Sequence, residues 1–261
     1  MELILFVILT TISMTIYYIF RKYIWTRRHG TYTWWFARTN HRLLGEPCKS
    51  DIVFDRQGYS LGFSKKWKSA LWVSYIITKR SVSVDVKRGG SFYVDTNVPK
   101  DCRIKSEDYA GIGYDRGHLA PSATVDFSHA SNNETFIMSN IVPQHPALNR
   151  QAWGSLEDTV RKWTFSKGKL AVVTGPIYGK RPRRVNGIPI PKAFYKVIYA
   201  FNHDQSIGFI LPNRAINSAK LWRYAMSVKK VEKATTYKFF NKLGRKGQSV
   251  KENLNTSWWK S

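Results

Sequence analysis

The chain has 261 residues, of which 43% are hydrophobic and 23% are charged. This composition supports a sizeable core and excludes a disordered chain, and the presence of only one long apolar run excludes a multi-span membrane protein. Lys and Arg number 42 against 17 Asp and Glu, a formal net charge of +25, which favours a polyanionic partner such as nucleic acid or an anionic membrane.

The first element in chain order is an uncharged apolar segment of eighteen residues, Leu3 to Phe20. As an α-helix it would extend about 27 Å, close to the hydrocarbon thickness of about 30 Å. We therefore predict one amino-terminal transmembrane helix within residues 1–22. A cleaved signal or organelle-targeting segment and a buried core helix are the alternatives. Against a signal peptide, no Lys or Arg precedes the segment and no A-x-A cleavage site follows it.

The rest of the chain is predicted to hold one folded domain. Residues 23–50 form a basic, aromatic connector, residues 51–245 contain no linker or repeat that would divide them, and residues 246–261 are predicted to be a basic, loosely held tail. The two cysteines, Cys48 and Cys102, allow one disulfide, but without a C-x-x-C pair they give no structural zinc site.

Apolar runs bounded by turn residues predict strands, and a period of 3.6 residues predicts helices. The predicted strands are 51–54, 59–64, 71–78, 91–94, 170–174, 194–201 and 208–211. The predicted helices are 149–164, 227–235 and 236–243. Because the strands are grouped and do not alternate strictly with helices, we predict an α+β fold.

The stretch 114–163 concentrates candidate catalytic residues. Arg116 and His118 are separated only by Gly117, which is expected to let the backbone turn tightly. An imidazole can take a proton from water near neutral pH, and a guanidinium can hold a phosphate oxygen. This pair suits the hydrolysis of a phosphodiester bond, although a single His or Arg is more often structural.

Three further polar residues follow in the same stretch: Asn140, Asn149 and Glu157. Asn149 and Glu157 are eight residues apart, which on a helix is about 80° beyond two full turns. Both side chains can then face one cleft, where amide and carboxylate oxygens suit Mg²⁺. Taken singly, the two asparagines also fit turn or cap positions, and Glu157 fits a solvated helix face.

Three motifs in this order are more specific than any single residue. D-R-G-H-L-A-P at 115–121, S-N-I-V-P-Q at 139–144 and L-N-R-Q-A-W-G-S-L-E at 148–157 closely resemble the DNA/RNA non-specific endonuclease family. That family includes endonuclease G and secreted bacterial non-specific nucleases. The resemblance covers about 190 residues and implies a ββα-metal nuclease fold (His-Me finger) with a central, mainly antiparallel sheet and one divalent ion, Mg²⁺ or Mn²⁺.

The resemblance also implies a role for each matching residue. His118 matches the general base, Asn149 the only direct protein ligand of the metal, and Glu157 the residue that orients metal-bound water. Arg116 and Asn140 match supporting positions near the phosphate and the metal.

A substrate-binding Arg lies upstream of the motif in the family. Arg88 is the nearest candidate here, although its surroundings, KRGGSFYVDTNV, align loosely.

We therefore predict a Mg²⁺-dependent endonuclease that cuts DNA and RNA with little sequence preference. A non-catalytic nucleic-acid-binding protein of the same fold, or a protein whose charge serves anionic lipid, are the alternatives. The predicted partners are DNA, RNA and, through residues 1–22, a membrane, with a homodimer as a further option.

Basic residues after the apolar segment would place the domain on the cytoplasmic or matrix side. A free cytoplasmic nuclease would damage its own cell, which favours an extracytoplasmic or mitochondrial location.

Overall fold

Eleven β-strands and six α-helices are found in a computed structural model that describes residues 14–15, 41–84, 86 and 89–261. The strands are β1 (Ile52–Asp55), β2 (Ser60–Ser64), β3 (Ser69–Ile77), β4 (Asp115–His118), β5 (Ile141–Gln144), β6 (Leu170–Ile177), β7 (Arg184–Val185), β8 (Ile188–Pro189), β9 (Ala193–Ala200), β10 (Gln205–Pro212) and β11 (Ala225–Met226). The helices are α1 (Lys79–Val82), α2 (His129–Glu134), α3 (Gly154–Ser166), α4 (Val228–Thr235), α5 (Lys246–Glu252) and α6 (Thr256–Lys260).

The central element is a seven-stranded sheet in the order β1-β2-β3-β6-β9-β10-β11, in which every neighbouring pair is antiparallel. Two two-stranded antiparallel sheets, β4–β5 and β7–β8, lie outside it. The predicted α+β fold with a central antiparallel sheet is confirmed.

Both faces of this sheet are buried, as strand β9 illustrates. Successive side chains of a strand point to opposite faces. Phe194 and Ile198 pack in the core on the α3 side, whereas Tyr195 and Val197 pack in the core on the α4 side. All eight residues of β9 are buried, so its run AFYKVIYA is almost uniformly apolar. The exception is Lys196, a charged residue on the same face of β9 as Phe194 and Ile198.

Most predicted strands are confirmed, with ends displaced by a few residues. The two long strands β6 and β10 extend beyond their predicted spans, 170–174 and 208–211. The predicted strand 91–94 is reduced to one isolated bridge between Tyr93 and Ile137. The predicted helix 149–164 exists, but its first turns, Leu148–Trp153, form a π-helix that continues into α3.

The carboxy-terminal region differs from the prediction. The predicted helix 236–243 is wrong, because Thr236 and Phe240 both adopt positive φ angles, of 65° and 53°, which interrupt a right-handed helix. The prediction of a loosely held tail is also wrong. Residues 246–261 contain α5 and α6, Trp259 is fully buried, and its carbonyl accepts a hydrogen bond from the Trp163 indole at 2.8 Å.

Within the described ranges, no helix has both the length and the apolar character needed to span a bilayer. The predicted transmembrane segment, Leu3 to Phe20, lies outside those ranges apart from Met14 and Thr15. Residues 23–40 of the predicted connector are also outside them. Cys48 and Cys102 are both free thiols, so the disulfide that the sequence allowed is not formed.

Candidate active site

The D-R-G-H motif forms strand β4, which pairs antiparallel with β5. Gly117 lies opposite Val142, and a Cβ atom at Gly117 would come within 2.6 Å of the Cβ of Gln144. Gly117 does not have a positive φ, so the expected tight turn is not the reason for this glycine. The close approach of the neighbouring strand requires it.

His118 ends β4 and lines a cleft with a volume of about 410 Å³. Its ring packs in a cluster with two aromatic side chains, with its centroid 5.5 Å from that of Phe92 and 5.2 Å from that of Phe136. The Phe136 contact is edge-on at 88°. These contacts restrict the orientation of the imidazole plane, a geometry compatible with proton transfer in a defined direction.

Asn149 lies in the π-helix, in a conformation that often marks functional positions. Its Nδ2 donates a hydrogen bond of 2.9 Å to Asp115 Oδ2, and Asp115 also accepts two bonds from Arg150, at 2.9 and 2.8 Å. Burial raises the pKa of Asp115, but the hydrogen bonds from Arg150 and Asn149 outweigh it and the pKa is lowered. The ionised Asp115 therefore holds the NH₂ group of Asn149 and leaves the amide oxygen for another partner.

Glu157 lies in the first turn of α3 and also lines the cleft. Its side chain is 17% exposed, and Oε1 is 3.7 Å from Nζ of Lys196, which is fully buried. Burial raises the pKa of Glu157, opposed by the charges of Lys196 and Arg161. Burial also lowers the pKa of Lys196 to about 8, opposed by the carboxylate of Glu157.

The structure thus brings together three of the predicted residues, His118, Asn149 and Glu157, around one cleft. They come from three separate pieces of chain: a strand end, a π-helix and an α-helix. Arg150 and Arg161 also line this cleft, together with Asp126 and Asp158, so the space for a phosphate has two guanidinium groups in its wall.

The two predicted supporting residues are placed differently. Arg116 donates a hydrogen bond of 2.7 Å to the Ser106 carbonyl, and its guanidinium lies 5.6 Å from the Phe92 ring centroid and 5.7 Å from that of Tyr109. Arg116 is not among the residues that line the cleft.

Asn140 is fully buried, and its side chain bonds only to backbone. Its amide donates to the carbonyls of Ala120 and Thr135 and accepts from the N–H of Ala120, at distances of 2.8 to 3.0 Å. It therefore fixes the chain just after His118. Arg88 lies outside the described residues.

Sequence analysis missed four charged residues of the site. Asp115 and Arg150 lie within the recognised motifs, next to residues that were predicted. Arg161 lies one helical turn after Glu157, a spacing that places both side chains on one face. Lys196 is the lone charge in the apolar run AFYKVIYA, and such a buried charge is itself a signal because it is costly unless paired.

The donor set of the cleft fits a hard divalent cation. The groups available are the amide oxygen of Asn149 and the carboxylate of Glu157, and oxygen ligands of this kind are those that Mg²⁺ prefers while keeping several waters. Within the described ranges no cluster of three or more His, Cys, Asp or Glu side chains could hold a metal.

Comparison with known proteins places these residues in a family context. The family model for DNA/RNA non-specific endonucleases matches residues 45–246. A nuclease of Syncephalastrum racemosum is 32% identical over 228 residues, 77% of this chain and 71% of that protein. Mitochondrial endonuclease G of Homo sapiens is 30% identical over 210 residues, 74% of this chain and 71% of that protein.

A mitochondrial nuclease 1 of Schizosaccharomyces pombe is 34% identical over 201 residues, covering 68% of this chain and 62% of that protein. Among solved structures, a crystal structure of an EndoG/EndoGI complex superposes with a TM-score of 0.71 at 26% identity. The match covers 78% of this chain and 91% of that chain.

Proposed function

The chain belongs to the DNA/RNA non-specific endonuclease family, and we propose that it is a Mg²⁺-dependent nuclease that hydrolyses internal phosphodiester bonds of DNA and RNA. The observation that carries this proposal is the convergence of His118, Asn149 and Glu157 on one cleft. A non-catalytic nucleic-acid-binding protein of the same fold would have no need to keep all three residues there.

His118 is the proposed general base. It takes a proton from a water molecule, whose oxygen forms a bond to phosphorus as the P–O3′ bond breaks. The departing 3′ oxygen takes a proton from solvent, which leaves a 5′-phosphate and a 3′-hydroxyl. Phe92 and Phe136 hold the ring for this transfer. Arg116 packs on Phe92, the ring that contacts His118, and we therefore assign it a positioning role, as we do Asn140.

Asn149 and Glu157 are the proposed metal-site residues, Asn149 through its amide oxygen and Glu157 through hydrogen bonds to water. A bound Mg²⁺ would stabilise the negative charge that develops on the phosphate. Asp115 orients the amide of Asn149 by accepting from Nδ2. The remaining candidate, Arg88, is proposed to bind substrate.

The positive charge of the chain supports recognition of the sugar–phosphate backbone of a nucleic acid rather than of its bases. Contacts to phosphates supply affinity without sequence information, and a chain with a net charge of +25 can make many of them. We therefore propose little sequence preference and activity on both DNA and RNA.

The test is cleavage of supercoiled plasmid and of single-stranded RNA by the full chain, with Mg²⁺ or with EDTA. We expect nicking of both substrates with Mg²⁺, complete and reversible loss with EDTA, and a thermal melt that EDTA leaves nearly unchanged, since the core does not depend on the ion. Full cleavage in EDTA would exclude the proposed metal site.

We also propose that residues 1–22 anchor the nuclease to a mitochondrial or other extracytoplasmic membrane surface. The names of the S. pombe and human relatives, both mitochondrial, support the compartment. Protease protection on intact and opened organelles tests this, with a variant that lacks residues 1–22 as control. Membrane and soluble fractions are separated in the same experiment. A full-length chain found in the same fraction as the variant that lacks residues 1–22 would exclude the anchor. A homodimer stays a prediction, which sedimentation of the full chain would test.

A further inference from the structure

Lys196 is a buried cation to which the proposed reaction gives no role. It lies in the middle of β9, its side chain is 0% exposed, and its strand neighbours pack in apolar cores. Removing an ammonium group from water costs several kcal/mol unless a counter-charge and hydrogen bonds compensate. A lysine at this position therefore needs partners whose interactions offset the cost of removing its charge from water.

Its partners are the elements of the cleft. Nζ lies 3.7 Å from Oε1 of Glu157 and 4.6 Å from the centroid of the Trp153 ring, and it donates a hydrogen bond of 3.4 Å to the Tyr75 hydroxyl. Glu157 is in α3, whereas Trp153 ends the π-helix that carries Asn149. One ammonium group therefore contacts both helical parts of the cleft wall from the sheet beneath them.

We propose that Lys196 is a positioning residue that pairs with the carboxylate of Glu157 from the sheet side and keeps it directed at the cleft. This inference rests on the proposed function of the cleft. Lys196 does not touch the substrate, because its side chain is fully buried.

Other charged groups around Glu157 are less suited to this role. Arg161 and Asp158 lie on the same helix, and Arg161 is hydrogen-bonded to Asp158 and to the Thr124 hydroxyl. Tyr75 on β3 is neutral, since burial raises its pKa well above the usual value. Lys196 is thus the cation that approaches Glu157 from the sheet with no other carboxylate as a salt-bridge partner among the residues described.

The experiment is a double-mutant cycle of Lys196→Met and Glu157→Gln, with kcat and KM measured on plasmid DNA with Mg²⁺. Methionine keeps the length of the side chain and removes the charge. We expect Lys196→Met to lower kcat by about 10- to 100-fold, the usual effect of losing a partner behind a metal-site residue, and to leave KM within about 2-fold. In the Glu157→Gln background the same change should lower kcat by less than about 2-fold, because the carboxylate on which it acts is already absent.

Lys251→Met is the matched control, because Lys251 also forms a buried pair with a glutamate, remote in sequence from the cleft motifs. It should leave kcat per folded molecule unchanged. Independent, multiplicative losses of kcat in the cycle, or an equal loss in the Lys251→Met control, would overturn the inference. Should Lys196→Met fail to fold at the assay temperature, Lys196→Gln serves in the same cycle.

A second readout needs neither metal nor activity. In EDTA, the carboxyl carbon of Glu157 is followed by NMR as a function of pH in the wild type, Lys196→Met and Lys251→Met. Loss of Lys196 should raise the titration midpoint of Glu157, whereas loss of Lys251 should not. Equal midpoints in all three proteins would overturn the inference even if the nuclease assay succeeds. A shifted midpoint in a chain without Mg²⁺-dependent cleavage would keep the pairing of Lys196 with Glu157 and reject only the proposed function.

Discussion

Two buried lysine–glutamate pairs lie on opposite sides of the central sheet. In the layer of α4 and α5, Lys251 Nζ is 3.0 Å from Glu232 Oε1, which also accepts the backbone N–H of Phe239 at 2.9 Å. Beneath the cleft, Lys196 and Glu157 are 3.7 Å apart, beyond hydrogen-bond distance. The exposed fractions differ too, since the Glu232 side chain is 2% exposed and that of Glu157 is 17% exposed.

We interpret the Lys251–Glu232 pair as structural and the Lys196–Glu157 pair as a support for the proposed active site. Oε1 of Glu232 connects α4 to α5 and to the chain after α4, because it accepts from both Lys251 and the Phe239 N–H. Glu157 is held from behind by a charge at a distance, and its carboxylate remains available to water in the cleft. A longer, partly exposed ion pair contributes less to stability than a short, buried one. It leaves a carboxylate oxygen accessible as a hydrogen-bond acceptor in the cleft.

The largest expected effect lies on the cleft side. Asn149→Ala should lower kcat on plasmid DNA by about 10³-fold, because the amide oxygen that fits the metal is lost, a cost of about 4 kcal/mol in transition-state stabilisation. Added Mg²⁺ should restore little of this. The thermal melt in EDTA should match the wild type, and Asn253→Ala, at an exposed position in the carboxy-terminal region, is the control. An unaffected Asn149→Ala enzyme would exclude the metal site.

On the opposite side, Lys251→Met should act on stability rather than on activity. Among the residues that the structure describes, it leaves Glu232 buried with the more distant Lys229, at 3.8 Å, as the remaining salt-bridge partner. We expect a loss of about 3 kcal/mol in the free energy of unfolding, measured by urea denaturation at neutral pH. A free energy of unfolding equal to that of the wild type would show that the Lys251–Glu232 pair does not stabilise the fold.

A buried histidine outside both pairs should give a pH-dependent stability of similar or smaller size. His41 accepts the N–H of Ile76 at Nδ1 and contacts the Gln57 carbonyl through Nε2, both at 3.1 Å, and burial lowers its pKa from 6.5 to about 4. The folded protein binds this proton less readily than the unfolded chain. Stability is therefore highest above pH 6.5 and falls by up to about 3 kcal/mol as the pH drops to about 4.

Urea denaturation across this pH range measures that loss, with His41→Gln for comparison. The variant should show a flatter dependence between pH 6.5 and 4. Equal slopes for the two proteins would assign the acid sensitivity to other groups.

The sequence could predict the cleft better than its surroundings. His118, Asn149 and Glu157 lie in short motifs whose order and spacing are specific, and the apolar period placed the helix that carries Glu157. The π-helix could not be predicted, since its sequence has an ordinary helical pattern. The roles of Asp115 and Lys196 depend on contacts across 34 and 39 residues of chain, which no local pattern contains.

The prediction for the carboxy-terminal region was wrong for the same reason: its structure depends on contacts with residues that are distant in sequence. Its polar, basic composition suggested solvent, but tertiary packing of Trp259 against Trp163, with ring centroids 4.5 Å apart, holds it in the core. Likewise, the apolar pattern of residues 236–243 does not predict the two positive φ angles that prevent a helix there.

The proposed function depends above all on His118 acting as the base in the cleft. The most direct test compares the plasmid cleavage rate of the wild type and His118→Ala with Mg²⁺, at DNA concentrations where binding is measured in parallel. We predict a fall in turnover of about 10²- to 10⁴-fold with DNA affinity nearly unchanged, because affinity comes from Lys and Arg elsewhere. A His118→Ala chain that cleaves DNA at the wild-type rate would contradict the account.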